Sequence, residues 1–115
     1  MFRKKIVIID DEEDLCQLMK AYFLDLNHDV FLANTLSSGL SLMKEVSPDV
    51  VFIDNNLPDG LGWEKMSYLM DEYPGCKINL ISAYEYLPPD LKNRENHTVT
   101  ILEKPLRLNA LRDYI

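Results

Sequence analysis

The apolar run Ile6 to Ile9 ends directly on two aspartates, Asp10 and Asp11, and the run Val50 to Ile53 ends on Asp54. A third run, Ile78 to Ile81, ends on Ser82-Ala83, and a fourth, Val99 to Leu102, leads through Glu103 into Lys104-Pro105. Three carboxylates brought into one pocket make each other costly to ionise. A hard divalent cation removes that cost, and Mg²⁺ accepts oxygen from one or two carboxylates while keeping several waters. A hydroxyl and an ammonium on the opposite wall would neutralise the remaining oxygens of a tetrahedral anion, as phosphoryl transfer requires. A carboxylate can itself be the nucleophile and form an acyl phosphate.

Each of these residues also has a simpler reading. Aspartates at strand ends cap the helices that follow, and Glu12, Glu13 and Asp14 favour a first helical turn. Asp10 or Asp11 alone reads equally well as such a cap. The specificity lies in five residues, Asp10, Asp11, Asp54, Ser82 and Lys104, recurring at successive strand ends.

Five short apolar runs must carry them: residues 6–9, 30–32, 50–53, 78–81 and 99–102. Several are near-continuous, as expected of strands buried on both faces of a parallel sheet. Helical stripes lie between them. Leu15, Leu18, Met19, Tyr22, Phe23 and Leu26 form the first; Leu36, Leu40, Met43 and Val46 the second; Met66, Leu69, Met70 and Tyr73 the third. Gly39 weakens the second, and Pro74-Gly75 ends the third. Pro88 and Pro89 leave room for at most two helical turns before Glu95, and Leu108, Leu111 and Ile115 point a last helix inward. This alternation predicts an α/β fold, a (βα)5 three-layer sandwich. Ligands then sit beyond the carboxyl ends of the strands, and the flavodoxin-like order 2-1-3-4-5 makes strands 1 and 3 neighbours.

The chain has 115 residues, the length of one domain, with 12 basic and 19 acidic side chains and a net charge of −7. That balance argues against a nucleic-acid surface. The basic start, Met1 to Lys5, meets only four apolar residues, too few for a signal segment or membrane span, so a cytoplasmic location is expected. Cys16 and Cys76 have no metal-ligand spacing and read as small buried hydrophobes. His28 and His97 read as surface residues of polar loops, and Trp63 as a partly buried helix residue.

Together the Asp10-Asp11 pair, Asp54, "LPDGLG" from Leu57 to Gly62, Ser82-Ala83 and Lys104-Pro105 resemble the receiver domain of two-component response regulators over residues 1–115. The resemblance implies a phosphorelay function in which Asp54 accepts a phosphoryl group from a histidine kinase or phosphotransfer protein. It implies Mg²⁺ held by Asp11, Asp54 and the backbone carbonyl of Asn56, with Asp10 acting through water. Lys104 would pair with phosphoryl oxygens and Ser82 would hydrogen-bond to one. Asn56 and Tyr84 would tune the loss of the group to water. An effector, or a second copy, would meet the face of helix 4, strand 5 and helix 5, with neither nucleic acid nor membrane as partner. Such a domain is not an enzyme toward external substrates; its chemistry is directed at itself.

Pro58, Asp59 and Gly60 read independently as turn chemistry, and Gly62 as a close backbone approach or cap. The family's aromatic residue three places before the lysine is Ile101 here. That departure, with Pro88-Pro89, leaves a second reading open: a degenerate receiver serving as a non-switching interaction scaffold. A small phosphohydrolase would need a further acid or base and a cover over the pocket. A nucleotide site would need a glycine-rich phosphate loop after the first strand.

Overall fold

The computed structural model describes residues 2–83, 93–94 and 97–115. Five strands, β1 (Lys5–Ile9), β2 (Asp29–Ala33), β3 (Val50–Asp54), β4 (Lys77–Ser82) and β5 (His97–Glu103), form a parallel sheet in the order β2-β1-β3-β4-β5. The helices are α1 (Glu13–Asp25), α2 (Leu36–Val46) and α3 (Met66–Glu72). The expected topology is the observed one. Every residue of β3 is buried, which is why its run is apolar without alternation.

Side-chain alternation along the strands splits the core into two layers. Val7, Ile9, Val51, Ile53, Ile78 and Leu80 face α2 and α3, where Leu36, Met43, Met66 and Leu69 meet them. Ile6, Ile8, Phe52 and Ile81 face α1 and the C-terminal segment, meeting Cys16, Met19, Phe23 and Leu111. Phe23 and Phe52 lie with ring centroids 5.5 Å apart. Both cysteines are buried. Cys16 takes an inward position on α1, while Leu18, expected there, is 54% exposed.

Gly39 has a packing reason that outweighs its helix-weakening effect. A Cβ there would lie 2.5 Å from Cδ1 of Ile9, a fully buried side chain of β1. The glycine lets α2 settle directly on the sheet.

The C-terminal segment departs from expectation. Leu108–Tyr114 forms a 3-10 helix in place of an α-helix. Residues 108, 111 and 114 eclipse at three residues per turn, so one tight stripe packs on the α1 layer. Gly62–Lys65, at the head of α3, is likewise 3-10. Asn93–Arg94, within the stretch expected to be helical, is instead a short strand antiparallel to β5, pairing with Thr98 and His97. His97 therefore opens a strand and does not lie in a loop. Tyr84 and Pro88-Pro89 lie outside the described residues.

His28 is also corrected: it is 7% exposed, not a surface residue. Asn27 closes α1 in the left-handed region at φ 68°, and the His28 N–H donates to Phe23 O at 3.1 Å. This turn brings the imidazole to the residue just before β1, where Nδ1 accepts the Lys4 N–H at 3.0 Å. Burial, with Lys4 and Arg3 nearby, holds its pKa below the ordinary histidine value, while Asp29 opposes them. A depressed histidine stabilises the fold above its unfolded pKa and loses that contribution as pH falls below it. In urea unfolding between about pH 7.5 and about pH 5.5, wild type should therefore lose stability more steeply than His28→Asn. Equal slopes would show that the imidazole does not titrate with folding.

Candidate active site

Asp10 directly follows β1, and its N–H continues the sheet by donating to Ala33 O at 3.0 Å. Its carbonyl accepts Asn34 Nδ2 at 2.9 Å and the Cys16 thiol at 3.3 Å. The carboxyl group is thus held at the sheet edge, completely buried. Its Oδ1 accepts the Glu12 N–H at 2.9 Å, while Oδ2, also buried, has no hydrogen-bond partner among the described residues. The residue at the N-cap of α1 is Glu12, so neither aspartate is the expected cap; the Glu12 N–H occupies one Asp10 oxygen and leaves the other unexplained. Asp11 is exposed beside it.

Asp54 ends β3 in register with Ile81 of β4 and is 4% exposed. One ligand oxygen from each of Asp10, Asp11 and Asp54 can be chosen so that all three lie within 4.8 Å of one another. Lys104 faces them, its Nζ 3.1 Å from Asp54 Oδ1 and 3.0 Å from Glu12 Oε2. Its N–H donates to Ser82 O at 3.0 Å, joining the ends of β4 and β5. Ser82 is buried at the end of β4, opposite Glu103 in register, and the Lys104–Pro105 peptide is cis. All five strand-end residues therefore gather at one edge. Asn56 lies exposed in a short hairpin, opposite Leu61.

The electrostatics follow from burial. Desolvation raises the Asp10 pKa from 3.8 to about 6; the Glu12 N–H and Lys104 oppose the rise, and Asp54 adds to it. Burial also raises Asp54, against the hydrogen bond and charge of Lys104. Desolvation alone would lower the Lys104 pKa, but Glu12, Asp10 and Asp54 together raise it above the usual lysine value. A divalent cation fits this donor set: hard oxygens, an excess of negative charge, and a buried carboxylate oxygen that lacks a donor among the described residues.

Other positioning residues gave no signal in the sequence. Asn55 is buried, and it donates its N–H to Ile81 O at 2.8 Å. Its carbonyl accepts the Gly62 N–H at 2.8 Å, and its Oδ1 accepts the Trp63 N–H at 2.9 Å. One side chain thus closes the loop after Asp54. A Cβ on Gly62 would lie 2.7 Å from Asp54 O, so the expected close approach is real and its target is the Asp54 backbone. Asp59 does more than turn the chain. Its carboxylate accepts the N–H groups of Leu36 and Ser37 at 2.7 and 2.9 Å, capping α2 from the loop after β3. Trp63 is half-buried against the core, as expected.

An open parallel α/β sheet with an acid pocket opposed by one lysine at its C-terminal edge defines a phosphoryl-transfer class of site. The response regulator receiver domain family matches residues 6–115, and the chain belongs to it. It is 27% identical along its whole length to the response regulator protein PilR of Pseudomonas aeruginosa, of which it spans 26%. It is 26% identical to sporulation initiation phosphotransferase F of Bacillus subtilis, of which it spans 93%. A response regulator receiver domain protein from Methanospirillum hungatei shares the fold at a TM-score of 0.86 and 22% identity, over 97% of this chain and 90% of that one. The domain is a phosphoacceptor of two-component phosphorelays, Mg²⁺ is its cofactor, and its chemistry is directed at its own side chain.

Asp10 carries the clearest consequence. Its folded pKa lies above its unfolded value, so its contribution to stability is full below pH 3.8 and is lost as pH rises through about 6. At neutral pH without metal a shift of this size corresponds to on the order of 3 kcal/mol of destabilisation. Thermal unfolding at about pH 7.5 should show metal-free Asp10→Asn to be more stable than wild type, with little further gain from Mg²⁺. A less stable Asp10→Asn protein would contradict the assignment of strain to this carboxylate.

Proposed function

We propose that Asp54 is the phosphoacceptor and that Asp11, Asp54 and the Asn56 carbonyl hold Mg²⁺, with Asp10 acting through water. When bound, the cation supplies charge neutralisation to the carboxylates and to phosphoryl oxygens. The observation that carries this reading is the 3.1 Å pair between Lys104 Nζ and Asp54 Oδ1 at the floor of the acid cluster. Lys104 favours the ionised carboxylate and leaves the second Asp54 oxygen to attack. An Asp54 oxygen forms a bond to phosphorus as the phosphohistidine P–N bond breaks. The electron pair returns to the ring nitrogen, which leaves as neutral imidazole when its other nitrogen carries a proton. Ser82 then donates its hydroxyl hydrogen to a phosphoryl oxygen, and Lys104 moves its ammonium toward another.

The donor is a sensor histidine kinase or a phosphotransfer protein. The Bacillus relative, named a phosphotransferase and of nearly this length, supports placing the domain within a relay. The single domain spans residues 1–115 and works in the cytoplasm; among the described residues no helix is long and apolar enough to cross a membrane. Ile101 is half-buried against the α3 layer and has few rotamers as a β-branched side chain. Coupling to an effector or second copy on the β5 face therefore runs through the backbone after Ser82.

Acetyl phosphate with Mg²⁺ should yield a labile phosphoryl adduct by intact mass, absent with EDTA and absent in Asp54→Ala. Lys104→Met should stay folded and bind Mg²⁺ yet fail to respond to beryllofluoride in amide NMR spectra. An adduct persisting in Asp54→Ala would overturn the acceptor assignment. Mg²⁺ binding without any adduct would favour the scaffold.

A further inference from the structure

Lys104 has two carboxylate partners among the described residues, and Glu12 lies outside the cluster that fits a cation. The Glu12 backbone is fixed from both sides. Its N–H donates to Asp10 Oδ1 at 2.9 Å, and its carbonyl accepts the Cys16 N–H at 3.0 Å. Its side chain then reaches Lys104 Nζ at 3.0 Å. The three groups are layered from solvent inward: the Glu12 side chain is 57% exposed, Lys104 26% and Asp54 6%. Glu12 is therefore the outermost of the three groups, and Asp54 the innermost.

We propose that Glu12 is a positioning residue that brakes phosphorylation by small anionic donors, holding Lys104 in an ion pair at the pocket mouth. The inference rests on Asp54 being the acceptor. An ammonium has three N–H donors, and two here point at carboxylates, which leaves one for phosphoryl oxygens. The Glu12 charge also repels an approaching phosphate dianion, at a range where protein and salt screen it only in part. A protein donor can displace Glu12 with its own contacts; a small molecule cannot. The brake thus discriminates between donor classes.

The test compares acetyl phosphate, a dianion near neutral pH, with the less charged phosphoramidate at saturating Mg²⁺, read by intact mass. With acetyl phosphate, an Asp54 oxygen bonds to phosphorus as the P–O bond to the acetyl group breaks, and acetate leaves with the electron pair. Glu12→Gln should accelerate this reaction by about 3- to 10-fold, and the phosphoramidate reaction by less. The gain should shrink at about 1 M salt, where screening acts within about 3 Å. Glu12→Asp keeps the charge but draws it back from Lys104 by one methylene, so its rate should fall between those of wild type and Glu12→Gln. Glu13→Gln removes an equal charge from the next exposed residue and should stay within about twofold of wild type. A Glu12→Gln rate no higher than that of Glu13→Gln, or a gain that salt leaves intact, would overturn the brake while Asp54 remains the acceptor. A wild type that takes no phosphoryl group would overturn the acceptor reading and the brake with it.

Discussion

The site depends on one ammonium set among too many carboxylates. Lys104 lies 3.1 Å from Asp54 and 3.0 Å from Glu12, while Asp10 and Asp11 add their charges nearby. One positive charge cannot balance them, and burial makes the imbalance felt, since Asp10 is pushed to about 6. A polar surface would screen such a cluster with water. Here β1 and β3 are closed on both faces, so the excess charge has a cation or a proton as its remedy. The metal-free pocket is therefore a destabilised arrangement held by the surrounding fold.

That fold is built to hold it. The parallel order puts the ends of β1 and β3 side by side, and β4 and β5 bring Ser82 and Lys104 to the same edge. Gly39 lets α2 sit against Ile9, the residue before Asp10, and Gly62 lets its loop pass over the Asp54 carbonyl. Asn55 closes that loop, and Asp59 fastens it to α2. Movement of the Asp54 backbone is thus linked to α2 through Asp59 and to α3 through Gly62 and Trp63.

The ends of β1 and β3 were legible because the buried runs Ile6 to Ile9 and Val50 to Ile53 are apolar throughout, so the first polar residue marks the sheet edge. Asp10 and Asp54 announce themselves in that way; Ser82 ends a run that already holds the buried Asn79, and Lys104 stands one place beyond Glu103. Residues whose meaning lies in a distant partner were not legible. Glu12 finds Lys104 92 positions away, and Asp59 finds Leu36 23 positions back. Asn55 carries no signal in the sequence beyond its polarity, yet its burial and three hydrogen bonds set the loop. His28 was misread because a histidine in a polar stretch carries no burial signal; a left-handed Asn27 turned it inward. The C-terminal leucines showed a stripe, but choosing three residues per turn over 3.6 depended on the surface beneath.

The claim that the pocket trades a proton for a cation is tested most directly by calorimetry of Mg²⁺ binding to the wild-type domain. Titrations in two buffers of different ionisation enthalpy count the protons released. With Asp10 at about 6, binding at that pH should release about half a proton, falling toward zero near about pH 8. Binding at about pH 6 with no proton released, or no binding at all, would contradict the account.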